Sequence, residues 1–185
     1  KKKEPVEVVE EIDEGHVSGI GITIVFAFFA ILVALLMVTT KSFTYSQNVK
    51  NASNDFARKR YTQAYNKIDG LELKDEDVEL YDKILTVMYV NKQLDSYRNY
   101  YQIRMYPEAL DSLLKGLKQY NKYIEMATML GIKEDMDYVK NQIVDELYNV
   151  FSLTEENAHE ILNYKDQVKY SKAIYDVVSK TFSIY

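Results

Sequence analysis

The stretch from Val17 to Thr40, VSGIGITIVFAFFAILVALLMVTT, contains no charged residue and no proline. From Ile22 to Val38 it is apolar on every side, and only Thr23 interrupts it, with a hydroxyl that can bond a carbonyl one turn back. A helix of this length reaches about 30 Å, which is the thickness of the hydrocarbon core of a bilayer. The stretch therefore predicts one transmembrane helix over residues 17–40, with the lipid bilayer as a partner.

A cleaved secretory signal is the alternative interpretation of this stretch. The apolar core of such a signal is about 7 to 15 residues long, and a small-x-small site closes it. Here the run is longer, its upstream flank is acidic between Glu4 and Glu14, and Val38-Thr39-Thr40 offers no such site. We therefore expect the segment to stay in the membrane and residues 1–16 to form a flexible acidic tail.

Charge and composition exclude several classes of function. The chain has 23 basic and 28 acidic residues and a net charge of −5, which argues against a nucleic-acid partner. Beyond the tail, the one local basic cluster, Arg58-Lys59-Arg60, is typical of a solvated helix end, with contact to lipid headgroups as the alternative. The chain has no cysteine, which rules out disulfides, thiolate metal sites and cysteine nucleophiles.

Residues 41–185 predict one all-α domain, because apolar residues recur there at spacings of three and four and no segment alternates with period two. We expect Asp75 or Asp77, Thr154 and Asp166 to cap helix starts, and Gly131 to end a helix. The predicted helices cover residues 46–59, 61–71, 75 to just before Pro107, 107–130, 134–151, 154–162 and 166 to about 180.

Two segments of this domain match each other. Arg60-Tyr61-Thr62-Gln63-Ala64 parallels Met105-Tyr106-Pro107-Glu108-Ala109, and aliphatic residues follow at Ile68 and Leu113. The tyrosine-x-x-alanine step puts a large ring and a small methyl on one helix face, so that a neighbouring helix can pack close to the alanine. This pattern resembles the second helix of a tetratricopeptide repeat, although the two matches stand further apart than that family's period of about 34 residues.

The resemblance covers about residues 46–130, and a generic helical bundle is the alternative. It implies antiparallel helix pairs stacked as a tetratricopeptide-like (TPR-like) domain, residues 41–185, which binds a protein or peptide in its concave face. Its likeness to single-pass repeat proteins of bacterial-type membranes implies a domain outside the membrane and a cytoplasmic tail. The small-residue spacings Gly15 to Gly19 and Ala30 to Ala34 would also allow a homodimer through the membrane helix.

We find no constellation of residues typical of an enzyme. The two histidines, His16 and His159, cannot form a triad or a multi-histidine metal site, and the six glycines form no phosphate-binding loop. Acid pairs such as Glu155 with Glu156 stand at helix starts, where capping explains them. We therefore expect no catalytic residues, no metal and no cofactor.

Tyrosine is the unusual residue of this chain: all 17 lie between Tyr45 and Tyr185. A tyrosine ring contributes burial while its hydroxyl stays hydrated, which suits a partly wet peptide groove. We predict Tyr97, Tyr101, Tyr120 and Tyr123 as partner-binding residues. The alternative is that these rings fill gaps between helices.

Two functional hypotheses follow. The first is a membrane-anchored scaffold or docking protein that binds another protein or peptide through its helical domain. The second is a membrane sensor whose helical domain binds a small ligand or a fragment of the cell envelope.

Overall fold

The computed structural model describes residues 19–182, and this part of the chain is all-helical, as expected. The predicted acidic tail, the first two residues of the predicted span and residues 183–185 lie outside the described residues. Seven helices occupy the described part: α1 Gly19–Ala57, α2 Tyr61–Ile68, α3 Asp75–Gln102, α4 Tyr106–Met129, α5 Lys133–Phe151, α6 Glu155–Leu162 and α7 Gln167–Phe182.

Helix α1 is long and apolar enough to span a membrane. The threonine hydroxyls of its apolar part bond within the helix: Thr23 Oγ1 donates to the Gly19 carbonyl at 2.9 Å, Thr39 Oγ1 to the Leu35 carbonyl at 3.0 Å and Thr40 Oγ1 to the Leu36 carbonyl at 2.7 Å. These bonds leave no hydroxyl donor that would need water along the apolar part. The helix predicted over residues 46–59 is the C-terminal part of the same helix, which ends at Ala57.

The compact helical unit begins at Tyr45. Helices α3 and α4 form an antiparallel hairpin through a three-residue turn, residues 103–105, and α5 packs against both of them. Fully buried leucines and isoleucines from these three helices make up most of the core, including Ile84, Leu110, Leu113, Leu114, Leu117, Ile143 and Leu147. Helix α2 packs on α3, and α6 and α7 pack on α4 and α5.

The two matching segments adopt the same turn. Lys59 and Arg104 both have a positive φ, 59° and 63°, and each stands two residues before the tyrosine that begins the next helix. The backbone N–H of Arg60 bonds the Asp55 carbonyl at 2.8 Å, and that of Met105 bonds the Tyr100 carbonyl at 3.0 Å. The internal repeat is therefore a repeated helix–turn–helix. Its two alanines, Ala64 and Ala109, are fully buried, as the pattern predicts.

Most of the expected helix ends are confirmed. Thr154 Oγ1 accepts a hydrogen bond from the Asn157 N–H at 3.2 Å, and Asp166 Oδ1 accepts one from the Val168 N–H at 2.9 Å. Gly131, with a φ of 70°, lets the Ile132 N–H return to the Ala127 carbonyl at 2.9 Å and end α4.

The prediction that Asp75 or Asp77 caps α3 is wrong. The capping position is Lys74, and no side chain caps this helix in the usual way. Instead, the Tyr45 hydroxyl accepts from the Lys74 N–H at 3.0 Å and donates to Asp77. A side chain from α1 thus takes the role that the local pattern assigned to an aspartate, while the acids of the first turn face the positive helix end.

Gly116 marks the closest approach between α4 and its neighbours. A methyl group added there would lie 2.6 Å from Cδ1 of Ile143 on α5 and 3.5 Å from Cβ of Gln93 on α3. Real side chains do not approach so closely. An alanine there would force the fully buried Ile143 side chain to move, although the helical conformation of Gly116 is one that any residue adopts.

We expect Gly116→Ala to lower the free energy of unfolding by about 1 kcal/mol, because overpacking costs about 1–3 kcal/mol and the better helix propensity of alanine returns about 1. Ile143→Val removes the clashing Cδ1 atom, so the double variant should be at least about 0.5 kcal/mol more stable than the two single effects predict. Urea denaturation of the full chain in detergent micelles measures this. Ile174→Val on α7 is the control, and its effect should simply add. If the effects of Gly116→Ala and Ile143→Val on the free energy of unfolding simply added, the contact between these two residues would be contradicted.

Candidate partner-binding surfaces

Tyrosine hydroxyls join the helices of the compact unit to one another. Five of them donate to a carboxylate on a different helix, at distances from 2.5 to 2.8 Å. The pairs are Tyr45 with Asp77, Tyr61 with Asp135, Tyr97 with Glu146, Tyr120 with Asp137 and Tyr170 with Asp111. Hydrogen bonds to a charged acceptor are stronger than neutral ones, so these pairs hold the helices in fixed positions.

The same pairs change how the tyrosines titrate. Burial, and then the hydrogen bond to a carboxylate, raise the pKa of Tyr120 to about 12. The same two causes, in the same order, raise the pKa values of Tyr61, Tyr97 and Tyr170 well above the ordinary tyrosine value. The hydroxyl is therefore kept neutral, since a phenolate would be desolvated and would lie beside a negative charge.

The four tyrosines predicted to bind a partner lie in different surroundings. Tyr97 is only 3% exposed, and its hydroxyl donates to Glu146 at 2.6 Å, so it offers a partner little surface. Tyr101 is 38% exposed, and its ring centroid lies 5.7 Å from that of Tyr97. On α4, Tyr120 is half-buried and donates to Asp137, while Tyr123 stacks on Tyr89 of α3 at 4.1 Å.

Aromatic rings also hold the end of α7 against the α3–α4 hairpin. Phe182 stacks on Tyr106 with ring centroids 3.8 Å apart and lies edge-on to Phe151 at 5.8 Å. Tyr101 touches the same cluster through Tyr106, at 5.6 Å. Part of the Tyr101 ring therefore serves the fold, and the rest of it faces solvent.

A groove of about 600 Å³ lies between the turn that begins α2 and the C-terminal half of α3. We call it the α2–α3 groove. Its walls carry three cationic side chains, Lys59, Arg60 and Arg98, and it is otherwise lined by amides, one carboxylate, Thr62 and the edge of Tyr61. The amides are Gln63, Asn91, Asn99 and Gln102.

A partly buried polar network forms the floor of this groove. Asn91, 7% exposed, donates to Thr62 Oγ1 at 3.0 Å and to Asp95 Oδ2 at 3.1 Å, and Thr62 also donates to Asp95. Arg98 bonds Asp95 at 3.2 Å and Gln142 of α5 at 3.1 Å. Asp95 thus accepts from three side chains, and the floor links α2, α3 and α5.

Sequence reasoning missed most of this groove. Lys59 and Arg60 belong to the basic cluster Arg58-Lys59-Arg60, whose sequence pattern is typical of a solvated helix end. Arg98, Asn99 and Gln102 belong to an ordinary polar helix face, which in sequence looks like any other. No signal in the sequence identifies the turn that faces them, because Lys59 and Arg98 lie far apart along the chain.

A second depression of about 470 Å³, the α4–α7 cleft, lies between the N-terminal halves of α4 and α7. Tyr170 of α7 donates to Asp111 of α4 at 2.8 Å, and Lys115 also bonds Asp111, at 2.6 Å. The partly exposed rings of Tyr164 and Tyr175 face this cleft together with Lys118. The cleft combines aromatic rings with two lysines, Lys115 and Lys118, and two acids, Glu108 and Asp111.

No protein-family model, curated protein or solved structure matches this chain. Within residues 19–182, no group of three or more histidine, aspartate or glutamate side chains is placed to hold a metal ion. His159 lies beside Glu155 at 3.6 Å on the surface of α6. The α2–α3 groove, the α4–α7 cleft and the exposed tyrosines are candidate binding surfaces.

We expect Tyr97→Phe to lower the free energy of unfolding by about 1–2 kcal/mol at pH 8, because it removes a hydrogen bond to a charged carboxylate. The pKa of Tyr97 is raised in the fold, so above about pH 10 the unfolded chain loses this proton first and stability falls as pH rises. The variant should therefore lose less stability than the wild type between pH 9 and pH 11.

Circular dichroism of denaturant unfolding in micelles measures both effects. Tyr148→Phe is the matched control, because Tyr148 is 62% exposed and its hydroxyl makes no hydrogen bond within the described residues. If the Tyr97 and Tyr148 variants had the same free energy of unfolding at each pH, the bond from Tyr97 to Glu146 would not stabilise the fold.

Proposed function

We propose that this chain is a membrane-anchored docking protein. In this proposal the apolar part of α1 spans the bilayer, and the helical unit that begins at Tyr45 binds another protein or peptide. The observation that carries the proposal is the α2–α3 groove, a solvent-open polar groove whose walls are joined by partly buried hydrogen bonds.

The composition of α1 supports the anchor. Between Ile20 and Val38 nearly all of its large apolar side chains are exposed, with Phe26 at 71% and Phe29 at 63%. Exposing so many large apolar groups to water is unfavourable, by about 25 cal/mol for each Å², and a lipid environment removes that cost. We place the tail in the cytoplasm and the helical unit outside the membrane, following the resemblance to single-pass repeat proteins.

The arrangement of the helices supports a TPR-like stack. The repeated turn before Tyr61 and Tyr106 starts two equivalent helices, and each packs its buried alanine into the core. Stacks of this kind present the same side of successive helices to a partner. In such a stack α3 and α5 would be neighbours in the binding face, and the bond from Arg98 to Gln142 joins these two helices.

A docking surface gains affinity when its side chains are already ordered, because little entropy is then lost on binding. Arg98 and Thr62 are ordered by Asp95 before any partner arrives. Tyr101 lies outside this groove, against Tyr97 and Tyr106, and keeps 38% of its surface exposed.

Site-specific photocrosslinking tests the docking role. A photoreactive amino acid at Gln63 or Asn99, both exposed on the groove walls, should give a discrete adduct in native membranes. The same group at Tyr148, which is exposed on α5 and outside the groove, is the control and should give none. All three proteins should stay in the membrane pellet after carbonate washing.

Two results would overturn this function. Recovery of the chain in the carbonate supernatant would show that α1 does not anchor it in the membrane. Crosslinks that are absent from both groove positions, or equally strong at Tyr148, would show that the groove is not the docking surface.

The α4–α7 cleft supports a second candidate, a membrane sensor for a small ligand or cell-envelope fragment. Its volume of about 470 Å³ lies in the range of small-molecule sites, and Tyr164, Tyr175 and Lys118 offer ring faces and a cation. A panel of anionic sugars should then raise the melting temperature of the wild type but not of Lys118→Gln with Tyr164→Ala. A panel that leaves the wild-type melting temperature unchanged would reject this candidate.

A further inference from the structure

The α2–α3 groove is a positively charged site on an acidic protein. The chain as a whole carries a net charge of −5, yet the groove has the three cations Lys59, Arg60 and Arg98 against one carboxylate, Asp95. Asp95 is bonded to Thr62, Asn91 and Arg98, and its charge offsets one of the three cations, so the groove lining keeps a net charge of three minus one, or +2. The remaining positive charge faces the open groove.

The cations keep donors free for a ligand. A guanidinium has five N–H donors, and the two bonds of Arg98, to Asp95 and Gln142, leave others available. The Arg60 side chain is 58% exposed, and its ion pair with Asp55 is a loose contact of 4.0 Å. The Lys59 ammonium lies 4.0 Å from the centroid of the Tyr138 ring, which positions it without using a hydrogen-bond acceptor.

The amides between these cations match a peptide backbone. Gln63, Asn99 and Gln102 are exposed along the groove, and each amide can donate to a carbonyl and accept from an N–H. From Asn91 to Gln102 the α3 wall is about 16 Å long, which accommodates about five residues of extended chain. A phosphate backbone would instead need a longer row of cations, since each neutralised phosphate requires one.

We propose that the α2–α3 groove binds an extended acidic peptide segment of the partner protein. Arg98 and Arg60 bind its carboxylates, where the forked guanidinium matches two oxygens, and the amides of Gln63, Asn99 and Gln102 bind its backbone. This inference rests on the proposed docking function and adds the chemistry of the partner to it.

Fluorescence anisotropy with the full chain in nanodiscs of zwitterionic lipid tests the proposal. The probe is a fluorescein-labelled peptide of about eight residues in which glutamates alternate with serines, and its matched control has glutamine in place of each glutamate. We expect the glutamate peptide to bind at least about tenfold more tightly, which corresponds to about 1.4 kcal/mol, and its affinity to fall with added salt.

Substitutions locate the binding. Arg98→Gln and Arg60→Gln should each weaken the glutamate peptide by about fivefold or more, while Lys169→Gln, an exposed lysine on α7 outside the groove, should leave it unchanged. Circular dichroism verifies that each variant is folded. Should loss of the Arg98–Asp95 bond unfold the domain, Arg60→Gln decides the test, because its loose pair with Asp55 contributes little to the fold.

Equal binding of the two peptides, or equal effects of the arginine and lysine variants, would overturn the inference. An eight-nucleotide DNA strand that binds as tightly as the glutamate peptide would overturn it too, since the site would then be a general anion site. Groove-specific crosslinks that persist in native membranes despite such results would leave the docking function standing, with a partner of different chemistry. If the groove-specific crosslinks were absent as well, both the acidic-peptide inference and the docking function would be overturned.

Discussion

The hydrogen bond from a tyrosine hydroxyl to a carboxylate on another helix is the interaction on which this fold depends. It recurs between α1 and α3, α2 and α5, α3 and α5, α4 and α5, and α4 and α7. Leucine and isoleucine contacts supply most of the burial, but such contacts are non-directional. A short bond to a charged acceptor is directional, so it selects one arrangement among the packings that the apolar faces allow.

The α2–α3 groove depends on the same constraint. Tyr61 ties the start of α2 to Asp135 at the start of α5, and Tyr97 ties α3 to Glu146 further along α5. With α2 and α3 both held to α5, Thr62, Asn91 and Asp95 come within hydrogen-bonding distance. The polar floor then orders Arg98, so groove and fold are stabilised by connected interactions.

The helices could be predicted from the sequence because apolar residues recur at helical spacings. Ends marked by a local signal, such as Thr154, Asp166 and Gly131, were predicted correctly, because a cap or a left-handed residue acts within a few positions. The cap at the start of α3 was predicted wrongly, because Tyr45 of α1 takes the capping role there. The predicted tyrosines likewise divide between interior pairs, such as Tyr97 with Glu146, and partly exposed rings, such as Tyr101. The sequence around a tyrosine does not show whether its ring will be buried or exposed.

The sequence by itself determined the all-α class, the apolar helix that is long enough for a membrane, and the repeated segment that begins α2 and α4. Each of these depends on spacing along the chain, which is set by the geometry of a single helix. Only the tertiary structure decided which carboxylate each tyrosine meets, that Gly116 lies against Ile143, and that Lys59, Arg60 and Arg98 surround one groove. Those contacts join residues far apart in sequence, and no local period encodes them, because they follow from how whole helices pack against one another.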